Sequence, residues 1–378
     1  MSNRWRPACR RTTACIGVAA GAFTFSCTSD VPYASSLDES AILSPEIAAL
    51  GSTLGSTLPY NQLYPIRIPT YDGSGQVVHP DFAASSAASF RYPRHLAITP
   101  YAFSQTRLEN PSIFVGGLIT WGLETGTPNP IATPREGYLS DPDLVYVPET
   151  SELWLYYRQV TTSNLIYLVR SRDGIRWGSP VQVAVAPSHK IISPAVVHRS
   201  PNDWWMWSVN GGTRGCWGAS TSVELRRSTD GRHWGTPRTV NLRQSGFYPW
   251  HIDVQWIAAR KEFWAMYNVK VAGNCNTPAV FLATSTDGIN WTPRKQPLLA
   301  KGSFPPFADI VYRATFSYVP ASDDIVVWYS GARYNGHEYV WSAAVQRRRR
   351  ADVFRASLIA YDRSPLLVPA PAELKEWP

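Results

Sequence analysis

Charged side chains are scarce in this chain, 17% of 378 residues, and so are methionine, with three, and cysteine, with five. With 44% hydrophobic residues beside it, so low a charge content excludes a solvated disordered chain and a charge-laced coiled coil. Long apolar runs are missing as well. The longest, from Cys15 to Phe25, is only about half of what a membrane-spanning helix requires, so no permanent transmembrane helix is expected. Cys9, Cys15 and Cys27 lie near the start, which leaves Cys216 and Cys275 as the pair available to a folded domain. Neither stands in a CxxC or near a histidine pattern, so the pair predicts a disulfide in an oxidising compartment rather than a metal site; no metal or other cofactor is expected, though an ion among Asp141, Asp143 and Asp253 stays open without any spacing that demands it.

The short apolar run follows Arg4, Arg6, Arg10 and Arg11, the build of a secretory signal over residues 1–27. The protein is therefore expected to be exported, to the periplasm, the envelope or the exterior. Thr24 to Cys27 loosely resembles a lipobox, and lipid attachment at Cys27 and ordinary cleavage nearby both stay open; an anchor there would be the only membrane contact. Without the four leader arginines the formal charge falls from +8 to +4, too little for a nucleic-acid partner. Residues 28–64, rich in Ser, Ala, Pro and Leu, read as a tether, and 351–378 as an irregular tail packing on the domain between them, residues 65–350. Arg347 to Arg350 read as a solvated strand end. A monomer is expected.

What the chain has in abundance is aromatic residues, 16 Trp and 19 Tyr, and a repeat. Ser171, Asp173, Gly174 and Trp177 form the pattern S-x-D-G-x-x-W, which recurs at Ser228 to Trp234 and at Ser285 to Trp291, each Trp 57 residues after the last. A degenerate copy, Val115 to Trp121, ends 56 residues before Trp177. Asp and Gly suit a tight turn and Trp the strand after it, so the motif is structural. Each unit opens on an earlier strand with a polar start, at His79, Asp141, Ser193, His251 and Arg313, and a second strand follows it. In the last four units that strand ends at Arg158, Asn210, Asn268 and Ser330, always 17 residues on; in the first it ends at Thr99. Five such units predict an all-β fold, a five-bladed β-propeller with four-stranded antiparallel blades.

An antiparallel pair brings the start of its first strand and the end of its second to one edge, so these residues should circle the central mouth. Asp81, Asp143 and Asp253 lie two residues further along the same strand faces. Glu109, at the start of a third strand, is expected on the same face, farther from the axis. Trp204, Trp205 and Trp250 fit either core or sugar stacking.

His79-Pro80-Asp81, Ala97 to Tyr101, Glu109 to Ile113, Ser140 to Leu144 and the S-x-D-G-x-x-W turns resemble five-bladed propellers of the glycoside hydrolase family 43 and family 32 type and their bacterial relatives, over about Pro65 to Val345. The resemblance implies a carbohydrate site at the central face, where those enzymes use an Asp base, a second Asp that tunes acidity and a Glu acid. It implies Asp141 as base or nucleophile, Glu109 or His251 as acid, and Asp143 or Asp253 as tuner, with Arg158 and Arg313 binding hydroxyls or carboxylates. His79, Asp81, Asn210 and Asn268 complete the expected substrate ring. His79 stands where those enzymes carry their base Asp. A propeller that only binds glycan or a protein partner at the same face is the second reading.

Overall fold

The computed structural model describes residues 58–355. The expected leader with Cys27, most of the tether and the tail beyond residue 355 lie outside the described residues. Among those described, no helix is long and apolar enough to cross a membrane.

The chain enters through β1 (Leu63–Ile66) and then builds five antiparallel sheets. Blade I holds β2 (Val77–Ala84), β3 (Arg94–Pro100), β4 (Ser112–Gly116) and β5 (Trp121–Gly122); blade II holds β6 (Tyr138–Val147), β7 (Glu152–Val160), β8 (Ser163–Ser171) and β9 (Val181–Pro187). Blade III holds β10 (Ile192–Ser200), β11 (Asp203–Asn210), β12 (Ser222–Ser228) and β13 (Arg238–Thr239). Blade IV holds β14 (Tyr248–Ile257), β15 (Glu262–Lys270), β16 (Ala279–Ser285) and β17 (Thr292–Pro293), with β18 (Leu299–Ala300) added on β16. Blade V holds β19 (Ile310–Val319), β20 (Asp324–Tyr334) and β21 (Tyr339–Arg349). The first strand of each blade packs beside the first strand of the next, and β19 returns to β2, which closes a ring of five around the axis. The fold is the expected five-bladed β-propeller.

Closure is completed by β1, which pairs with β21 from Leu63↔Gln346 to Ile66↔Ala343 and supplies the outer strand of blade V. Leu58 is buried and the Tyr60 ring lies 4.3 Å from the Arg347 guanidinium, so the propeller takes up residues that the composition had assigned to the tether. Arg347 and Arg350, expected to be solvated, pair with Asp324 and Asp323. The short helix α1 (Arg350–Phe354) packs Phe354 against Trp264, with ring centroids 5.0 Å apart. Cys216 and Cys275 form a disulfide that joins a loop of blade III to a loop of blade IV.

The S-x-D-G-x-x-W turn clamps one blade to the one before it. Ser171 Oγ accepts from the Gly174 amide at 2.9 Å, and Asp173 Oδ1 accepts from the amides of Ile175 and Arg176 at 2.9 and 2.8 Å. The turn glycine has a positive φ and also meets the second strand of the preceding blade: a Cβ on Gly231 would stand 2.8 Å from the Tyr156 hydroxyl, and one on Gly288 2.7 Å from the Trp205 ring. The carbonyls of these glycines accept from Tyr156 Oη at 2.8 Å and from Trp207 Nε1 at 2.9 Å. Hence the motif recurs at three joints that are built alike, and the degenerate copy does the same work at a fourth when Leu118 O receives Trp328 Nε1.

Burial works against the Asp173 charge, but the amides of Arg176 and Ile175 outweigh it and hold the carboxyl at about 2. A folded-state value below the unfolded one gives stability that is complete above pH ~4 and lost as the pH falls toward 2. Asp173→Ala should therefore cost about 1–2 kcal/mol at pH 7 and much less near pH 2, read by denaturant unfolding at both pH values. An equal loss at both would mean that the carboxylate is not the source.

Candidate active site

Each first strand carries a bulge at the same place, between Val78 and Asp81, Ser140 and Asp143, Ile192 and Ala195, Pro249 and Ile252, and Val311 and Ala314. In the first three blades the bulged residue, His79, Asp141 or Ser193, takes a left-handed backbone with φ of 55°, 49° and 52°. Each precedes a proline, which has no amide to lose from the ladder at this point. Non-glycine residues in this region store about 1–3 kcal/mol of strain apiece, and such strain gathers where side chains are re-aimed for a task.

The re-aimed side chains meet at the axis. His79 Nε2 and His251 Nδ1 each lie 3.2 Å from Asp141 Oδ1, and these three atoms have no partner beyond one another. The residues are 3%, 2% and 0% exposed, so water does not satisfy these atoms at the surface. Burial lowers both imidazoles, His79 well below its ordinary range, which leaves them neutral with lone pairs to offer. Burial alone would raise Asp141, yet the Arg158 guanidinium, with Nε 2.8 Å from Oδ2, holds it well below the carboxylate range. Two imidazole nitrogens and one carboxylate oxygen thus converge, all within 4.8 Å of one another. Ligand atoms about 2.1 Å from one ion, at right or tetrahedral angles, stand about 3.0–3.4 Å apart. Both distances to Asp141 Oδ1 fall in that range, and the donor types suit a divalent transition ion, with imidazole favouring zinc, iron or nickel over magnesium or calcium.

The surroundings hold these ligands in place. His79 Nδ1 lies 3.1 Å from Thr99 Oγ1 and 3.3 Å from Glu109 Oε2, and Ser140 Oγ donates to the same Glu109 oxygen at 2.7 Å. Burial pushes the Glu109 carboxyl up to about 8. Glu109 therefore sits at the nitrogen of His79 opposite the one that faces Asp141. The Ser193 amide donates to Asp141 Oδ2 at 3.1 Å, while its hydroxyl bonds Ile252 O. Asn268 Oδ1 accepts from the His251 amide at 2.6 Å. Tyr312 covers the cluster, its ring 4.5 Å from that of His251 and 5.3 Å from that of His79. Burial raises the Tyr312 hydroxyl, which also bonds the Trp250 side chain. Tyr312 and Trp250 are only half-buried and form the accessible edge of the centre.

Other expected site residues lie elsewhere. Arg313 is not a mouth residue. Across the bulge it turns inward, fully buried, and donates to Pro142 O at 2.7 Å and to Asp81 Oδ1 at 3.1 Å, with Asp143 Oδ1 at 3.7 Å. Asp81, Asp143 and Asp253 bond between blades: Asp81 accepts from the Leu144 amide at 2.7 Å, Asp143 from the Val196 amide at 3.0 Å, and Asp253 from Thr315 Oγ1 at 2.9 Å. This trio is also spaced for a cation, but the Arg313 guanidinium already supplies one. Asn210 is outside the centre, donating to Glu224 at 2.7 Å. Tyr312, next to Arg313, was not read from the sequence as a site residue; counting the bulge would have exposed it.

No established family profile matches the chain. A curated relative, the A type blood N-acetyl-alpha-D-galactosamine deacetylase of Flavonifractor plautii, is 29% identical over 307 residues, 68% of this chain and 40% of that protein. The chain thus matches less than half the length of that relative. A crystal structure of an N-acetylgalactosamine deacetylase from F. plautii, in complex with blood group B trisaccharide, superposes with a TM-score of 0.70 at 24% identity, over 76% of this chain and 95% of that one. The GH32 β-fructofuranosidase of Bombyx mori gives 0.52 at 15% identity over 75% and 62%, and an α-L-arabinofuranosidase of Fusarium graminearum 0.50 at 14% over 76% and 98%. The fold is one shared with carbohydrate-active enzymes. At these identities the solved structures speak for the architecture, in agreement with the resemblance seen in the sequence.

Proposed function

We propose that the chain hydrolyses the acetamide of an N-acetylated sugar at the His79, Asp141 and His251 centre, outside the cytoplasm, adding water to release acetate and leave a free amine. The observation that carries this reading is the meeting of three buried ligand atoms on the axis, with no partner but one another, and the name of the curated relative supplies the substrate class. A divalent ion held there would supply Lewis-acid polarisation of the carbonyl. The protein's own groups do the rest. Thr99 and Glu109 face His79 Nδ1 and so favour the tautomer that leaves the lone pair on Nε2. Arg158 keeps Asp141 ionised. Tyr312, its hydroxyl bonded to Trp250, stays protonated and stands at the accessible edge as a donor for an oxygen that gains charge. Export accords with the Cys216 to Cys275 disulfide, which persists in an oxidising compartment.

Glycoside hydrolysis is the second reading, and the Glu109 carboxyl at about 8 favours it, because a general acid must carry a proton near neutral pH. Against it, Glu109 and Asp141 contact opposite nitrogens of His79, and Asp141 is engaged by Arg158 and the Ser193 amide. One assay separates the two. Purified protein is given N-acetyl-α-galactosaminides and aryl glycosides, and acetate and aglycone are measured before chelation, after it, and after return of zinc. Acetate release with the glycosidic bond intact, abolished by chelation and restored by metal, is expected. Aglycone release indifferent to chelator would sink the deacetylase reading.

A further inference from the structure

On the face that holds the histidine cluster, a cleft of about 560 Å³ opens between blades III and IV. Ser220 and Thr221, from the loop between β11 and β12, form one wall. Arg243, Gln244 and Phe247, from the connection between β13 and β14, form the other, and Tyr248 begins β14. Tyr248 is three residues before His251 on the same strand, about 10 Å at 3.3 Å per residue. The cleft therefore lies within reach of a short glycan whose end sits at the centre.

The rim beside this cleft is braced. The Cys216 to Cys275 disulfide ties the β11–β12 loop to the β15–β16 loop, and the Gly273 amide donates to Gly218 O at 3.1 Å. Lys270, fully buried, donates to Gly218 O at 2.8 Å and to Val271 O at 3.3 Å, and its ammonium lies 5.6 Å from the Tyr248 ring. A buried ammonium bonded to carbonyls alone is costly, and here it fixes the two loops and the ring as one unit. Phe247, Tyr248, the hydroxyls of Ser220 and Thr221 and the side chain of Gln244 line the space between, and Gln244 Oε1 is taken by Tyr267 at 2.9 Å so that its nitrogen carries the remaining donors. Arg243 is exposed and has no hydrogen-bond, ion-pair or ring partner among the described residues. Among the described residues no carboxylate lines the cleft. Aromatic faces with donors and hydroxyls around them suit hydroxylated sugar rings.

We propose that this cleft is a second carbohydrate subsite that holds the sugars next to the residue placed at the histidine cluster, an inference that rests on the proposed reading of that cluster. Calorimetric binding of a galactose-terminated trisaccharide is compared with that of methyl α-galactoside; both lack the acetamide, so binding is read without hydrolysis. In the unaltered protein the trisaccharide should bind at least tenfold more tightly, and Arg243→Ala and Tyr248→Ala should each cut that ratio about tenfold. Arg243 is exposed, so its truncation opens no cavity, and Tyr248→Phe keeps the ring and tests the hydroxyl alone. A ratio unchanged in all three variants, or no trisaccharide binding at all, overturns the subsite. Acetate release from an N-acetyl-α-galactosamine-terminated trisaccharide, followed in parallel, reports on the histidine cluster instead, so either result can fail while the other stands.

Discussion

Asp141→Asn should lower acetate release about a thousandfold, roughly 4 kcal/mol of transition-state stabilisation, while the chain stays folded. The replacement has one carbonyl oxygen for two jobs. Turning it toward Arg158 Nε and the Ser193 amide, which need an acceptor, puts the amide NH2 where Oδ1 now faces His79 and His251. Two lone pairs then meet a donor, and the three-ligand position is closed. The loss of the charge facing Arg158 is softened at Glu109: burial is the main reason its carboxyl is raised, but repulsion from Asp141 adds to it, so without Asp141 it ionises more readily. Metal content and turnover are measured on the same preparation. A variant that keeps both would remove Asp141 from the reading, and one that keeps the ion but loses turnover would move Asp141 from ligand to general base.

The repeat was legible because it does one mechanical job at several joints. Gly231 and Gly288 must admit the side chains of the preceding blade, so the turn pattern survives in sequence at fixed spacing. The polar strand starts were legible for the same reason, each bulge falling at the same point of its blade. Which way a side chain leaves a bulge was not. Tyr312 and Arg313 are the two residues of one bulge, and the arginine reaches Asp81 along the axis while the tyrosine faces the histidines. A ligand set split between His79, Asp141 and His251 has no local spacing to betray it, since the ring closure and not the chain brings it together. The same holds for β1, whose partner strand lies at the other end of the propeller and whose sequence, read alone, looks like the end of a linker.

Arg313→Met should destabilise the propeller by about 3–5 kcal/mol at neutral pH, because it removes the only guanidinium from a buried ring of three carboxylates. Burial raises all three: Asp81 well above its ordinary range, Asp143 to about 8 and Asp253 to about 6, even with Arg313 present. A carboxyl whose folded value exceeds its unfolded one binds a proton more readily in the folded state, so stability falls as the pH rises from ~4 through those values. Without Arg313 the carboxyls move further up, and the penalty should be smaller at pH 5 than at pH 8. Adding Asp81→Asn and Asp143→Asn to Arg313→Met should recover most of the loss, since each amide still offers an oxygen to the Leu144 or Val196 amide without burying a charge. Denaturant unfolding of the single and triple variants at both pH values reads all of this. If the triple variant is no more stable than the single one, the ring is held by the shape of the Arg313 side chain and its bond to Pro142 O, not by its charge.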